Sequence, residues 1–206
     1  MKLIKNAEFG GERPLFESHD LRLENVIIRT GESAIKECSN IETVDCRFEG
    51  NYPFWHVHGF KIDRCYFDVG GRSALWYSDH LKMTDTIIDA PKMFREMDEI
   101  DIENVTMNDA DEVFWRCNGI RIKNLKLHGG TYPFMFSNNI YVDGLESNSK
   151  YVVPVREKCR DSSCKDYNEG CLLGSGKCDH LRFRTQRRIP RLAFEESTFG
   201  QLPHYR

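Results

Sequence analysis

The sequence predicts an all-β protein, a single-stranded right-handed parallel β-helix with coils of about 20 residues. Three observations carry this expectation. One short phrase recurs along the chain, as LRLENVII from Leu21, FKIDRCYF from Phe60, LKMTDTII from Leu81, IDIENVTM from Ile100 and IRIKNLKL from Ile120. IETVDCRF from Ile41 fits the same frame, and IYVDGLES from Ile140 is a fading copy. Apolar and polar residues alternate within each phrase, which is the period of a strand. A second, aromatic-rich segment follows later in every coil.

The elements of one coil can be taken in order. Pairs such as Leu21 and Leu23, Ile100 and Ile102, or Ile120 and Ile122 point inward from a first strand. A polar step follows at Asn25, Asp45, Arg64, Asp85, Asn104 or Asn124, and a second strand begins. The third segment reads SAIKE, PFWHV, SALWY, KMFRE, EVFWR and PFMFS, with Ile35, Phe54, Leu75, Phe94, Phe114 and Phe134 as its inner column. Gly70-Gly71 and Gly129-Gly130 mark bends rather than phosphate loops, because no helix follows them. A leucine-rich repeat has a similar period but needs asparagine three residues past its last strand leucine. Here the polar residue follows by two, and the return segments are strands. The right-handed sense rests on the rule for parallel crossovers.

The phrases GERPLF, GESAIKE, YPFWH, RSALWYS, PKMFRE and EVFWRC resemble a family of small, uncharacterised bacterial proteins with the pectin-lyase-like right-handed β-helix fold. The resemblance spans roughly Gly11 to Val152. It implies the fold and carries no activity, because the family's function is undefined.

Composition bounds the partners. A formal net charge of −3 and a pI near 6.2 provide no polybasic field for nucleic acid. No apolar run approaches the roughly 20 residues of a membrane span. The N-terminus, with only Leu3 and Ile4 as an apolar core, lacks the pattern of a secretory signal, so the expected compartment is the cytoplasm. Cys38, Cys46, Cys65 and Cys117 read as small buried residues rather than a disulfide frame. Residues 1–20 are expected to form an N-terminal cap or lead-in segment, and residues 21–152 the coils.

Residues 153–206 break the pattern. They are rich in Arg and Cys and show neither period. Cys159, Cys164, Cys171 and Cys178 contain no C-x-x-C pair, so a zinc site or cap is weakly signalled. Synonymous codons can be chosen from Val153 onward so that reading one nucleotide later restores NVEI, NVTI and NLRL at the coil period, with AFWE and LAWHS as aromatic segments. The segment is therefore expected to be frameshifted and poorly structured, through a single-base insertion near that codon. The gene's nucleotides there decide the point.

The candidate site is the outer side of the third segment. Lys36, Trp55, Trp76, Arg95, Trp115 and Met135 form one outward column; Glu37, His56, Tyr77, Glu96 and Arg116 stand one position further on. Tryptophans beside charges suit a sugar platform, with Lys36, Trp55, Trp76, Arg95, Trp115 and Arg116 as the substrate-binding set. Arg95 between two indoles is also a cation–π stack that needs no ligand. His56, flanked by Glu37 and Tyr77, is the acid/base candidate, with Glu96 completing the catalytic set. Glu37 and Glu96 lie three coils apart, roughly 14 Å, beyond the approximately 5–9.5 Å of paired glycosidase carboxylates. Neither adjacent aspartates with a G-H-G turn nor an acidic cluster for calcium occurs. No metal or cofactor is expected, and no catalytic signature is complete. The expected partner is an oligo- or polysaccharide, and any reaction would be of polysaccharide-lyase or glycoside-hydrolase type. The alternative is a non-catalytic structural or protein-interaction solenoid. The oligomeric state is left open.

Overall fold

The computed structural model describes residues 1–152 and, as backbone, the strand Gly176–Phe183. The chain winds into a parallel β-solenoid of about seven turns with about 20 residues per turn, and the single short helix described is the 3-10 turn Val69–Gly71. The fold class and coil length read from the sequence are observed.

Three faces follow from the repeat. The first stacks Lys2–Lys5, His19–Glu24, Ser39–Val44, His58–Asp63 and Asp79–Thr84, all parallel. The second begins with Glu8–Glu12 and Ile27–Glu32 and continues through the two-residue strands Arg47–Phe48, Tyr66–Phe67 and Ile87–Ile88. In the last three coils these two faces join as the ten-residue strands Asp98–Met107, Asn118–Leu127 and Asn138–Ser147. The third face consists of Phe54–Trp55, Leu75–Trp76 and Phe94–Arg95, extended by a bridge from Arg95 to Trp115. The ladder starts at Lys2, so residues 1–20 already carry two strands in register with the coil above.

Register stacks like on like. Leu21, Ile41, Phe60, Leu81, Ile100, Ile120 and Ile140 are Cα partners in succession and all are buried. The inner column of the third segment, from Ile35 to Phe134, is at most 1% exposed. Each such side chain contributes about 1.5–3 kcal/mol by leaving water. Phe94 and Phe114 stack with ring centroids 4.5 Å apart, and Phe114 and Phe134 at 5.0 Å. The four scattered cysteines are buried free thiols. Burial pushes Cys38 up to about 11 and Cys117 up to about 12, so both stay protonated and unreactive.

Left-handed residues turn the chain at four stations per coil. The polar step is one of them: Asn25, Asp45, Arg64, Asp85, Asn104 and Asn124 all have φ between 48° and 55°. Its side chains bond up the stack, Asn25 Nδ2 to Asn6 Oδ1 at 2.7 Å and Asn124 Nδ2 to Asn104 Oδ1 at 3.0 Å. The other stations are typified by Ser33, Glu37 and Asn40 in one coil and Tyr52, His56 and Gly59 in the next. From Asn40 to Asp45 and from Gly59 to Arg64 is five residues; from Ser33 to Glu37 and from Tyr52 to His56 is four; from Glu37 to Asn40 and from His56 to Gly59 is three. Only the stretch between the polar step and the next corner varies, from seven residues (Asp45 to Tyr52) to nine (Arg64 to Ser73). The longest of these holds the Val69–Gly71 turn, where the sequence predicts a bend. At Gly130, the second predicted bend, φ is 68° and a Cβ would come within 2.3 Å of the Ala110 carbonyl carbon. Only glycine fits there.

Gly176–Phe183 pairs antiparallel with Asn138–Ser147, covering the open edge of the last coil. An unpaired ladder accepts any extended chain through its main-chain groups, so this strand needs no period-two pattern. The rest of the out-of-pattern segment, and with it the reading-frame expectation, lies outside the described residues.

Candidate functional site

The outward side of the third face is built by two constant intervals. The four-residue interval holds each ladder residue on its rung, and the left-handed station that closes it turns the next side chain beside the ladder. Glu37, His56, Tyr77, Glu96 and Arg116 all take φ between 51° and 56°. For residues other than Gly, Asn and Asp this costs roughly 1–2 kcal/mol each. Nothing in these side chains advertises a left-handed residue, so the sequence places them beside the ladder without revealing how.

The structure brings the predicted ladder together. Lys36 Nζ lies 4.9 Å from the Trp55 ring centroid. The Arg95 guanidinium lies 4.7 Å from the Trp76 ring and 5.4 Å from the Trp115 ring, bridging rungs on either side. Tyr52, which the sequence reading omits, packs on Trp55 at 5.3 Å and on Trp76 at 6.2 Å. His56 and Tyr77 stack at 5.2 Å, and Tyr77 lies over Trp55 at 6.3 Å. Further along, Trp115 meets Phe136 edge-on at 5.3 Å and Tyr132 stacks on Tyr151 at 4.9 Å. Tyr77, Tyr132, Phe136 and Tyr151 are exposed.

Polar groups on this face are unequally satisfied. Trp76 Nε1 donates to the Lys92 carbonyl at 2.9 Å, while Trp55 Nε1 is buried with no acceptor among the described residues. Arg116 reaches Glu96 at 3.8 Å and Lys92 reaches Glu112 at 3.2 Å. His56 is held by ring contacts and, among the described residues, makes no hydrogen bond to Glu37. Burial lowers its pKa, against the charge of Glu37, so the imidazole is neutral near pH 7 and able to accept a proton. Burial, then the charge of Glu96, raises the Tyr77 phenol.

A second cluster, at the corner before the first face, was not expected from the sequence. His58 opens the strand His58–Asp63. Its Nδ1 lies 2.8 Å from Asp79 Oδ2, His80 Nδ1 lies 2.8 Å from Asp79 Oδ1, and His80 Nε2 is 3.1 Å from Glu99. Burial opposes the charge on Asp79, but the bonds from His80 and His58 prevail and its carboxyl titrates below the ordinary value. The hydrogen bond to Asp79 raises His80. Superposing the coils brings His58, Asp79 and His80 to one corner, and that was the available signal.

Among the described residues, no helix is long and apolar enough to cross a membrane. Fold and site together define a β-solenoid carrying one aromatic–cation face. The chain belongs to the family described as Protein of unknown function (DUF3737), whose model matches residues 2–165. The search of curated proteins found no match, and neither did the search of solved structures.

Proposed function

We propose that the third face is a carbohydrate-binding platform on a pectin-lyase-like solenoid. The observation behind this reading is the outward column of Trp55, Trp76 and Trp115 on registered rungs, with Tyr77 exposed beside it. Indole faces stack on the apolar faces of pyranose rings, and rungs about 4.8 Å apart repeat such contacts along the axis. Lys36, Arg95 and Arg116 supply donors for hydroxyl and acidic groups. His56 is the acid/base candidate, with Glu37, Tyr77 and Glu96 around it. Glu37 and Glu96, three rungs apart, do not form a glycosidase pair, so binding is the function assigned and turnover is not.

A glycan-binding screen of the full chain tests this, repeated with W76A and W115A. Each substitution is expected to weaken every hit by about fivefold or more, since stacking on one aromatic is worth about 1–3 kcal/mol in the analogous case of nucleic-acid bases. Hits whose affinity neither variant changes would overturn the platform. Exposed Tyr132, Phe136 and Tyr151, on two adjacent coils, favour a second reading, a protein-interaction solenoid. Light scattering on the full chain and on F136A and Y151A separates the two, because an interface made by these rings changes the oligomeric mass.

A further inference from the structure

We propose that the ligand of the aromatic face is an anionic saccharide, and that Arg95 takes its carboxylate or sulfate group. This rests on the reading of that face as a glycan platform and adds the chemical class of the sugar. On the first two faces many cations are paired by the chain itself, and those without an ion pair among the described residues, such as Lys82 and Arg121, are exposed to water. Arg22 is bonded to Glu24 and Glu42, Lys61 to Glu42, and Arg29 to Glu8 and Glu49. On the third face Lys92 and Arg116 also have carboxylates. Lys36 and Arg95 do not: both are half-buried, both lie over indoles, and no ion pair joins either to a carboxylate among the described residues. Glu96, next to Arg95 in the chain, turns to Arg116 instead, and Glu37 makes no ion pair with Lys36.

Arg95 is the more telling of the two. Trp76 and Trp115 lie on the rungs either side of it, so its planar edge is the part left to form hydrogen bonds. That edge is a fork of N–H donors matched to two oxygens of a carboxylate or sulfate. A half-buried cation without a counter-ion is poorly solvated, and an incoming oxyanion relieves that. Lys36 stands three rungs away, roughly 14 Å along the axis, so one extended chain carrying repeated acidic groups can reach both. The protein's net charge of −3 gives polyanions no general attraction; on the aromatic face, selectivity for them falls to these two positions.

The test uses the full chain and six polymers: dextran, carboxymethyl-dextran and dextran sulfate, with hydroxyethylcellulose, carboxymethylcellulose and cellulose sulfate. At least one charged derivative is expected to bind about tenfold more tightly than its neutral parent, the change typical of one charge-assisted hydrogen-bonded pair. The carboxylated and sulfated arms tell which oxyanion is preferred. In R95Q the ratio of charged to neutral affinity should fall to about one, whereas K123Q, a cation on the first face, should leave it unchanged. Thermal melts of both variants establish that they fold. Equal affinity for charged and neutral polymers, both lost in W76A, overturns this inference and leaves the platform standing. A charge preference that survives in R95Q overturns it too. Binding to none of the six also overturns it, and the wider glycan screen then judges the platform separately.

Discussion

The first and third faces of this solenoid are held together differently, although one chain builds both. The first face has strands of four to six residues in the early coils and joins the second in ten-residue strands later. Its outer surface is laced with ion pairs such as Arg22 to Glu42 at 2.7 Å. The third face has strands of two residues. It compensates with rings, stacked phenylalanines inside and indoles with cations outside. The first face thus coheres through its backbone ladder and the third through its side chains, so only the third face has an outer surface of unusual chemistry.

The strongest way to break this comparison is to remove a ring from the inner stack. F114A deletes the side chain that stacks on both Phe94 and Phe134. It is expected to cost about 3–5 kcal/mol, against about 0.5–1.5 kcal/mol for I102V under the first face. Chemical denaturation measures both. Similar losses would mean that the third face does not depend on its rings.

A smaller effect separates the two central tryptophans. W76F loses the bond to the Lys92 carbonyl, whereas W55F removes a donor that is buried without an acceptor. W76F should therefore be the more destabilising, by about 1 kcal/mol or more. The opposite order in thermal melts would show that Trp55 Nε1 finds a partner in solution.

The smallest effect is in proton binding and has opposite signs on the two faces. His56 is depressed by burial, so its contribution to stability is present above the ordinary histidine pKa and is lost as pH falls from there through its lower folded pKa. His80 is raised by Asp79, so its contribution is present below the ordinary value and is lost as pH rises through its folded pKa. NMR titration should place the His56 midpoint below that of His80. Coincident midpoints would remove this distinction between the faces.

How far the sequence disclosed this molecule follows from what each residue type can signal. Leu21, Ile100 and Ile120 announce strands because alternation survives in any text of the chain, and the polar step is legible because Asn and Asp tolerate left-handed backbone. The stations at Tyr52, His56 and Tyr77 were illegible, since those residues have no such preference and the conformation is imposed by the stack. The ladder from Lys36 to Trp115 was predicted, since position on a strand decides which side a residue takes. Tyr52 was missed because it reaches the ladder from a corner. The coil spacing already sets His58 beside Asp79 and His80, but which of them bond is decided by side-chain rotamers, and spacing does not encode those.

The variable interval between the polar step and the following corner has a consequence for how such a chain can change. Residues added between Asp68 and Ser73 are absorbed outside the registered rungs, as the Val69–Gly71 turn already is. One residue deleted between Tyr77 and His80 would instead displace a corner and misalign the coils that follow. Growth and grafting are therefore permitted along one seam of the molecule, and the aromatic face lies on the side where the spacing is fixed.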